Sequence, residues 1–134
     1  MSDKKPNIIV ILADDLGYGD CSCYGQKDWK TPNIDKLASQ GIRFTDFYST
    51  SPVCSPARTS IMTGLHSGRL PIRCLADQYL PDNVPTIPKL LNQVGYVSAC
   101  VGKYGVGKLQ PDVDPIRKGF DYHYGYNCMR HAHN

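Results

Sequence analysis

From Asn7 to Leu12 the chain reads Asn-Ile-Ile-Val-Ile-Leu, flanked by Pro6 on one side and by Asp14 and Asp15 just beyond Ala13 on the other. An apolar, mostly β-branched run without polar alternation suits a strand buried on both faces, and such strands belong to parallel sheets covered by helices. The longest apolar stretch, Ile8 to Ala13, is far too short to span a bilayer. No secretory apolar segment with a small-residue cleavage site follows Met1-Ser2-Asp3-Lys4-Lys5. The compartment stays open: cytoplasmic as written, periplasmic or secreted if a signal peptide has been removed.

The rest of the chain keeps alternating. Thr31 is placed to cap a helix that has Pro32 at its first position, Ile34, Leu37 and Ala38 on one face, and Gly41 at its end. Ile42 to Tyr48 is predicted as a second strand. A short helix follows over Pro56 to Thr63 and stops at Gly64; another begins at Thr86, with Ile87, Leu90, Leu91 and Val94 on one face and Gly95 as its stop. Tyr96 to Val101 is predicted as a third strand. Strands separated by such helices imply crossover units, hence an α/β fold whose sheet is mostly parallel with helices on both faces. In these sheets chemistry collects at the carboxyl ends of the strands.

Composition narrows the partners. A net charge of +3 over 134 residues, with no basic run longer than Lys4-Lys5, makes no electrostatic case for nucleic acid or an anionic membrane. The 41% hydrophobic and 20% charged fractions describe a globular chain and argue against a disordered one. Six cysteines are too sparse for a secreted disulfide scaffold of this length, and Cys21-x-Cys23 lacks a second ligand pair at zinc-finger spacing.

Three strand-end segments carry candidate chemistry. Asp14 and Asp15, in a turn with Gly17 and Gly19, suit a hard cation through oxygen ligands; the alternative is a turn cap beside a solvated carboxylate. Cys54-Ser55-Pro56-Ala57-Arg58 places a thiol at or just before a helix N-terminus, where amides and dipole favour an anion, with a planar five-donor cation one turn along. Taken alone, that pattern also fits a small buried Cys beside a surface Arg. Gly102 to Lys108 matches the phosphate-loop spacing G-x-x-x-x-G-K, but Leu109 stands where Ser or Thr should bind Mg²⁺ and Gln110-Pro111-Asp112 is a turn where a helix should start. The tail carries His131 and His133, which either meet an anion or form a solvated end.

The segment Cys54-Ser55-Pro56-Ala57-Arg58-Thr59-Ser60-Ile61-Met62-Thr63-Gly64 resembles the signature of the type I, formylglycine-dependent sulfatases of the alkaline phosphatase superfamily, with core Cys-x-Pro-x-Arg. Pro6 through Asp20 resembles the family's first strand and metal loop, Thr31 through Ala38 its first helix, and Gly95-Tyr96 through Gly102-Lys103 its second signature. Gly119-Phe120-Asp121 with Tyr124-Gly125 resembles a later segment. The resemblance implies that residues 1–134 are the amino-terminal part of a catalytic domain with an alkaline-phosphatase-like, incomplete sheet, inactive by itself.

Position by position, the resemblance implies a divalent cation, usually Ca²⁺ with Mg²⁺ as the other option, on Asp14, Asp15 and Cys54. It implies that Cys54 is oxidised to formylglycine by a formylglycine-generating enzyme and is the nucleophile. Arg58 would hold that residue, and Lys103 would bind the sulfate oxygens. His131 is a further candidate on the substrate side. Gly105 stands where many members have His, so that role falls to another residue, to water or to nothing. The implied substrate is a sulfated small molecule or carbohydrate; the other readings are a catalytically incompetent sulfatase-like fragment, or a phosphonate monoester or phosphodiester hydrolase with the same nucleophile.

Overall fold

The computed structural model describes residues 4–74, 79–107 and 114–127. They fall into two compact units, Met1–Phe47 and Tyr48–Asn134. No helix among the described residues is long and apolar enough to cross a membrane.

In the first unit the predicted strand at Asn7–Leu12 does not form. The segment is exposed, with Ile9 and Ile11 each 83% accessible, and among the described residues it enters no strand pair. Ile42–Tyr48 is likewise exposed and, among the described residues, enters no strand pair. An apolar pattern marks a segment as suited to a sheet, but a strand exists only where a neighbouring backbone supplies the ladder.

Helix α1, Pro32–Gln40, does form with Pro32 in its first turn, and it follows single turns at Tyr18–Asp20 and Ser22–Tyr24. Thr31 precedes α1 but does not cap it through its side chain. Its Oγ1 instead accepts the Ser22 N–H at 2.9 Å and donates to Asp35 Oδ1 at 3.1 Å. Ser22 Oγ in turn accepts the Thr31 N–H and donates to Asp35 Oδ2, both at 2.7 Å. Serine, threonine and aspartate thus lace the turn to the helix, using hydroxyl groups that both donate and accept. Cys21 is the one buried apolar residue described in this unit, and burial pushes its thiol upward.

The second unit holds the core. Leu70, Ile72, Leu80, Tyr104 and Val106 are buried together, with Met62, Val84, Cys100 and Phe120 packed against them. Tyr104 meets Phe120 edge-on at 6.2 Å, and burial raises its phenol above the ordinary range. Helix α2 spans Cys54–Thr63 and stops at Gly64 as expected, beginning two residues earlier than the sequence pattern indicated. Helix α3 spans Ile87–Asn92; its closing turn bonds Gly95 N–H to Asn92 O and Tyr96 N–H to Leu91 O.

Strands β1, Ala99–Lys103, and β2, Tyr122–Tyr126, run parallel in register Ala99↔Tyr122 through Lys103↔Tyr126. The third predicted strand is therefore real but shifted toward the carboxyl side, ending on Lys103 rather than Val101. Gly102, the first glycine of the phosphate-loop pattern, lies inside β1 opposite Gly125. With Gly125 at φ 144, a β-carbon there would run into the Gly102 carbonyl oxygen, so the ladder closes only because that position has none.

Lys118 is 3% exposed, yet it is satisfied: Nζ donates to Leu80 O at 2.6 Å and pairs with the Asp82 carboxylate. Thr86, which leads into α3, directs its hydroxyl to Lys118 O at 2.6 Å instead of capping the helix.

Two outcomes are expected. The Ser22 hydroxyl, with Thr31 and Cys23 adding to it, holds the Asp35 carboxyl below the ordinary carboxylate range. A depressed folded value stabilises above the ordinary range, and that stabilisation is lost as pH falls through the lowered value. Asp35→Asn should therefore lower the melting temperature at neutral pH and leave it unchanged where both carboxyl states are protonated; a difference independent of pH in thermal melts would contradict this. Gly125→Ala should cost about 2 kcal/mol or more by denaturant unfolding, since the β-carbon must displace the β1 backbone.

Candidate active site

The first turn of α2 is built by its sequence. Val53 is extended at φ −122, ψ 151, and Cys54 is the first helical residue. Pro56 occupies an early position where a missing N–H costs no helix bond, and it is fully buried. The first intrahelical bond runs from Ala57 N–H to Val53 O at 3.3 Å. A half-buried thiol thus sits at the positive end of a ten-residue helix, where the dipole favours negative charge.

One turn along, Arg58 is only 9% exposed. Its Nη1 donates to the carbonyl oxygen of Lys103, the last residue of β1. A carbonyl acceptor solvates the guanidinium without cancelling its charge, so this bond lets a buried cation persist beside the helix N-terminus. The charge is felt nearby: burial raises the Cys100 thiol, and Arg58 draws it partly back.

Gly105 lies over this pair at φ 61. A β-carbon there would stand 3.1 Å from Arg58 Cδ, 3.6 Å from Arg58 Nε and 3.7 Å from Lys103 Cε. The side chains of Arg58 and Lys103 therefore converge on one point, which the bare glycine leaves open. Lys103 stands at the carboxyl end of β1, the place where parallel sheets gather their chemistry.

The loop after β1 is held from two sides. Tyr104 N–H bonds to Tyr126 O at 2.9 Å and Gly105 N–H to Asn127 O at 3.2 Å, which continues the ladder past β2. Gly107 N–H bonds to Ser55 Oγ at 3.2 Å. Ser55 is not among the residues that the sequence pattern marks, although a hydroxyl beside the cysteine of a helix-start motif is a usable signal for such a contact. Cys100 and its register partner His123 are both half-buried, and strand periodicity alone does not say what they face.

The structure thus assembles Arg58 and Lys103 on the turn that carries Cys54. Asp14 and Asp15 belong to the other unit and end the extended segment after Leu12, with both residues exposed and Asp15 at φ 60. A left-handed non-glycine residue is strained and is often found where a loop serves a ligand. Their oxygen donors fit a hard divalent cation in kind. Among the described residues, no three His, Cys, Asp or Glu side chains group closely enough to hold a metal ion. His131 lies outside the described residues. Cys21, Cys23, Cys54, Cys74 and Cys100 are free thiols.

The chain is similar to known proteins over most of its length. The family model described as Sulfatase matches residues 6–133. N-acetylgalactosamine-6-sulfatase of Homo sapiens is 39% identical over 142 residues, taking in 93% of this chain and 26% of that protein. The crystal structure of Ps i-CgsB in complex with k-i-k-neocarrahexaose is similar with a TM-score of 0.79 at 41% identity, covering 91% of this chain and 28% of that one. A structure from work on metabolism of multiple glycosaminoglycans by Bacteroides thetaiotaomicron gives a TM-score of 0.82 at 36% identity, covering 93% and 29%. The chain spans about a quarter of the length of these relatives. With the family match running over nearly its whole length, the chain belongs to the sulfatase family.

Proposed function

We propose that this chain is the amino-terminal part of a sulfuric ester hydrolase acting on a sulfated carbohydrate, with Cys54 as its nucleophile after oxidation to formylglycine. The observation that carries the reading is the convergence of Arg58 and Lys103 beside the α2 turn that bears Cys54. A sulfate monoester resists attack until the charge on its oxygens is offset, and two cations at a helix N-terminus supply that offset. When formed, the hydrated aldehyde offers one hydroxyl to take the sulfuryl group and a second that expels sulfate as the aldehyde is regenerated.

The chain's own residues set the geometry around this chemistry. Arg58, tethered to the Lys103 carbonyl, keeps its charge at the first turn of α2 and orients the residue at position 54. Lys103 reaches the same point from the end of β1 and binds sulfate oxygens as a compact point charge. Asp14 and Asp15 would hold a divalent cation, Ca²⁺ or Mg²⁺, whose chemistry is Lewis-acid charge offset on the sulfate. A formylglycine-generating enzyme is the partner that this assignment requires.

The carbohydrate reading is supported by the neighbour in complex with k-i-k-neocarrahexaose and by the relative named N-acetylgalactosamine-6-sulfatase. Among the described residues one Arg and one Lys converge here, which suits a sulfate monoester better than a more highly charged phosphate monoester.

In protein from a competent host, the peptide containing Cys54 should carry an aldehyde by mass spectrometry; a plain thiol would remove the nucleophile. Aryl sulfate should be hydrolysed in preference to aryl phosphate by the protein that contains this chain, and the reverse preference would move the assignment to a phosphoester hydrolase. Arg58→Ala should lower aryl sulfate turnover by about 10²- to 10³-fold, with Arg58→Lys failing to restore it because the fork geometry is lost. Asp14→Asn with Asp15→Asn should abolish Ca²⁺ binding by calorimetry, whereas retained affinity would place the cation on other residues.

A further inference from the structure

We infer that Ser55 is a positioning residue, whose hydroxyl clips the loop after β1 onto α2 and thereby sets where Lys103 stands relative to Arg58. The inference rests on the anion-binding reading of these two cations. Three observations carry it. Ser55 is 5% exposed and its Oγ accepts the Gly107 N–H at 3.2 Å, so a buried hydroxyl in the first turn of α2 is committed to a residue far along the chain. Arg58, three residues further on the same helix, donates to Lys103 O. Between those two bonds Gly105 passes directly over the Arg58 stem, with a would-be β-carbon 3.1 Å from Arg58 Cδ.

The loop is therefore bracketed at both ends by one helical turn. Among the described residues, the bonds from Tyr104 and Gly105 to Tyr126 and Asn127 stop two residues before Gly107, and the Ser55 hydroxyl holds the loop beyond them. Without the Ser55 hydroxyl, the Gly107 amide loses a buried acceptor, which is costly to leave unmet, and the loop lifts to find water. Lifting it relaxes the approach of Gly105 to Arg58 and loosens the shared point where Lys103 Cε and Arg58 Nε converge. The Ser55 backbone is independently fixed, since its carbonyl accepts Thr59 Oγ1 at 2.8 Å. Removing the hydroxyl leaves that bond in place, so its loss acts on the loop rather than on the helix.

The test compares Ser55→Ala and Ser55→Thr with the parent in the full chain, using inorganic sulfate as the probe. Amide exchange at Gly107 is expected to accelerate about tenfold in Ser55→Ala, and sulfate affinity to fall about five- to tenfold, the scale of one lost hydrogen bond. Ser55→Thr keeps the hydroxyl and should restore both. Protection of the Gly64 amide, which is bonded to Ser60 O at 2.8 Å, reports that α2 is intact in each variant. Unchanged Gly107 exchange in Ser55→Ala overturns the clip, and faster exchange with unchanged sulfate affinity overturns its positioning role. If the parent binds no sulfate, it is the anion reading under the proposed function that falls, while Gly107 exchange still decides whether Ser55 holds the loop.

Discussion

The hydrogen bond from Arg58 to the Lys103 carbonyl joins the start of α2 to the end of β1, and the candidate site depends on that junction. Burying a guanidinium is expensive unless its donors find acceptors. Here the carbonyl of Lys103, the last residue of β1, is such an acceptor. Lys118, more deeply buried in the same unit, pairs its ammonium with Asp82 as well as with the Leu80 carbonyl. That arrangement locks two segments together and neutralises its charge, which suits a structural strut better than an anion site.

The same economy explains why the short polar residues act as they do. Thr31 and Thr86 both stand before helices, at positions where a threonine ordinarily caps. Each spends its hydroxyl on a longer-range partner instead, Thr31 within the Ser22–Asp35 network and Thr86 on Lys118 O. Ser55 follows suit, reaching Gly107 from the first turn of α2. In a fold with a modest apolar core, such bonds tie turns and loops to helices where packing alone would leave them loose. Glycine does complementary work: Gly125 lets two strand backbones meet, and Gly105 lets a loop lie on an arginine stem.

Much of this was legible before any coordinates. Residues that start and stop helices act locally, so Pro32, Gly64 and Gly95 marked α1, α2 and α3 to within a few residues. The Cys54 to Gly64 run pointed to a nucleophile at a helix N-terminus with Arg58 one turn on, and α2 has that form. Strands were less legible. Ile8 to Leu12 has the composition of a buried strand, yet it is exposed and unpaired among the described residues, because pairing is a property of two segments and periodicity describes only one.

What the sequence determined by itself was therefore local: the helix boundaries, the placement of Cys54 and Arg58 one turn apart, and the motif order that marks the family. Tertiary structure decided which distant groups meet. No spacing rule links Arg58 to Lys103, Ser55 to Gly107, or Gly102 to Gly125, since each pair is brought together by bonds from the first turns of α2 to the end of β1 and the loop after it, or by the register of β1 with β2. Side-chain periodicity encodes which face a residue occupies, but not the neighbour it finds there, and the chemistry of this site lies in those neighbours.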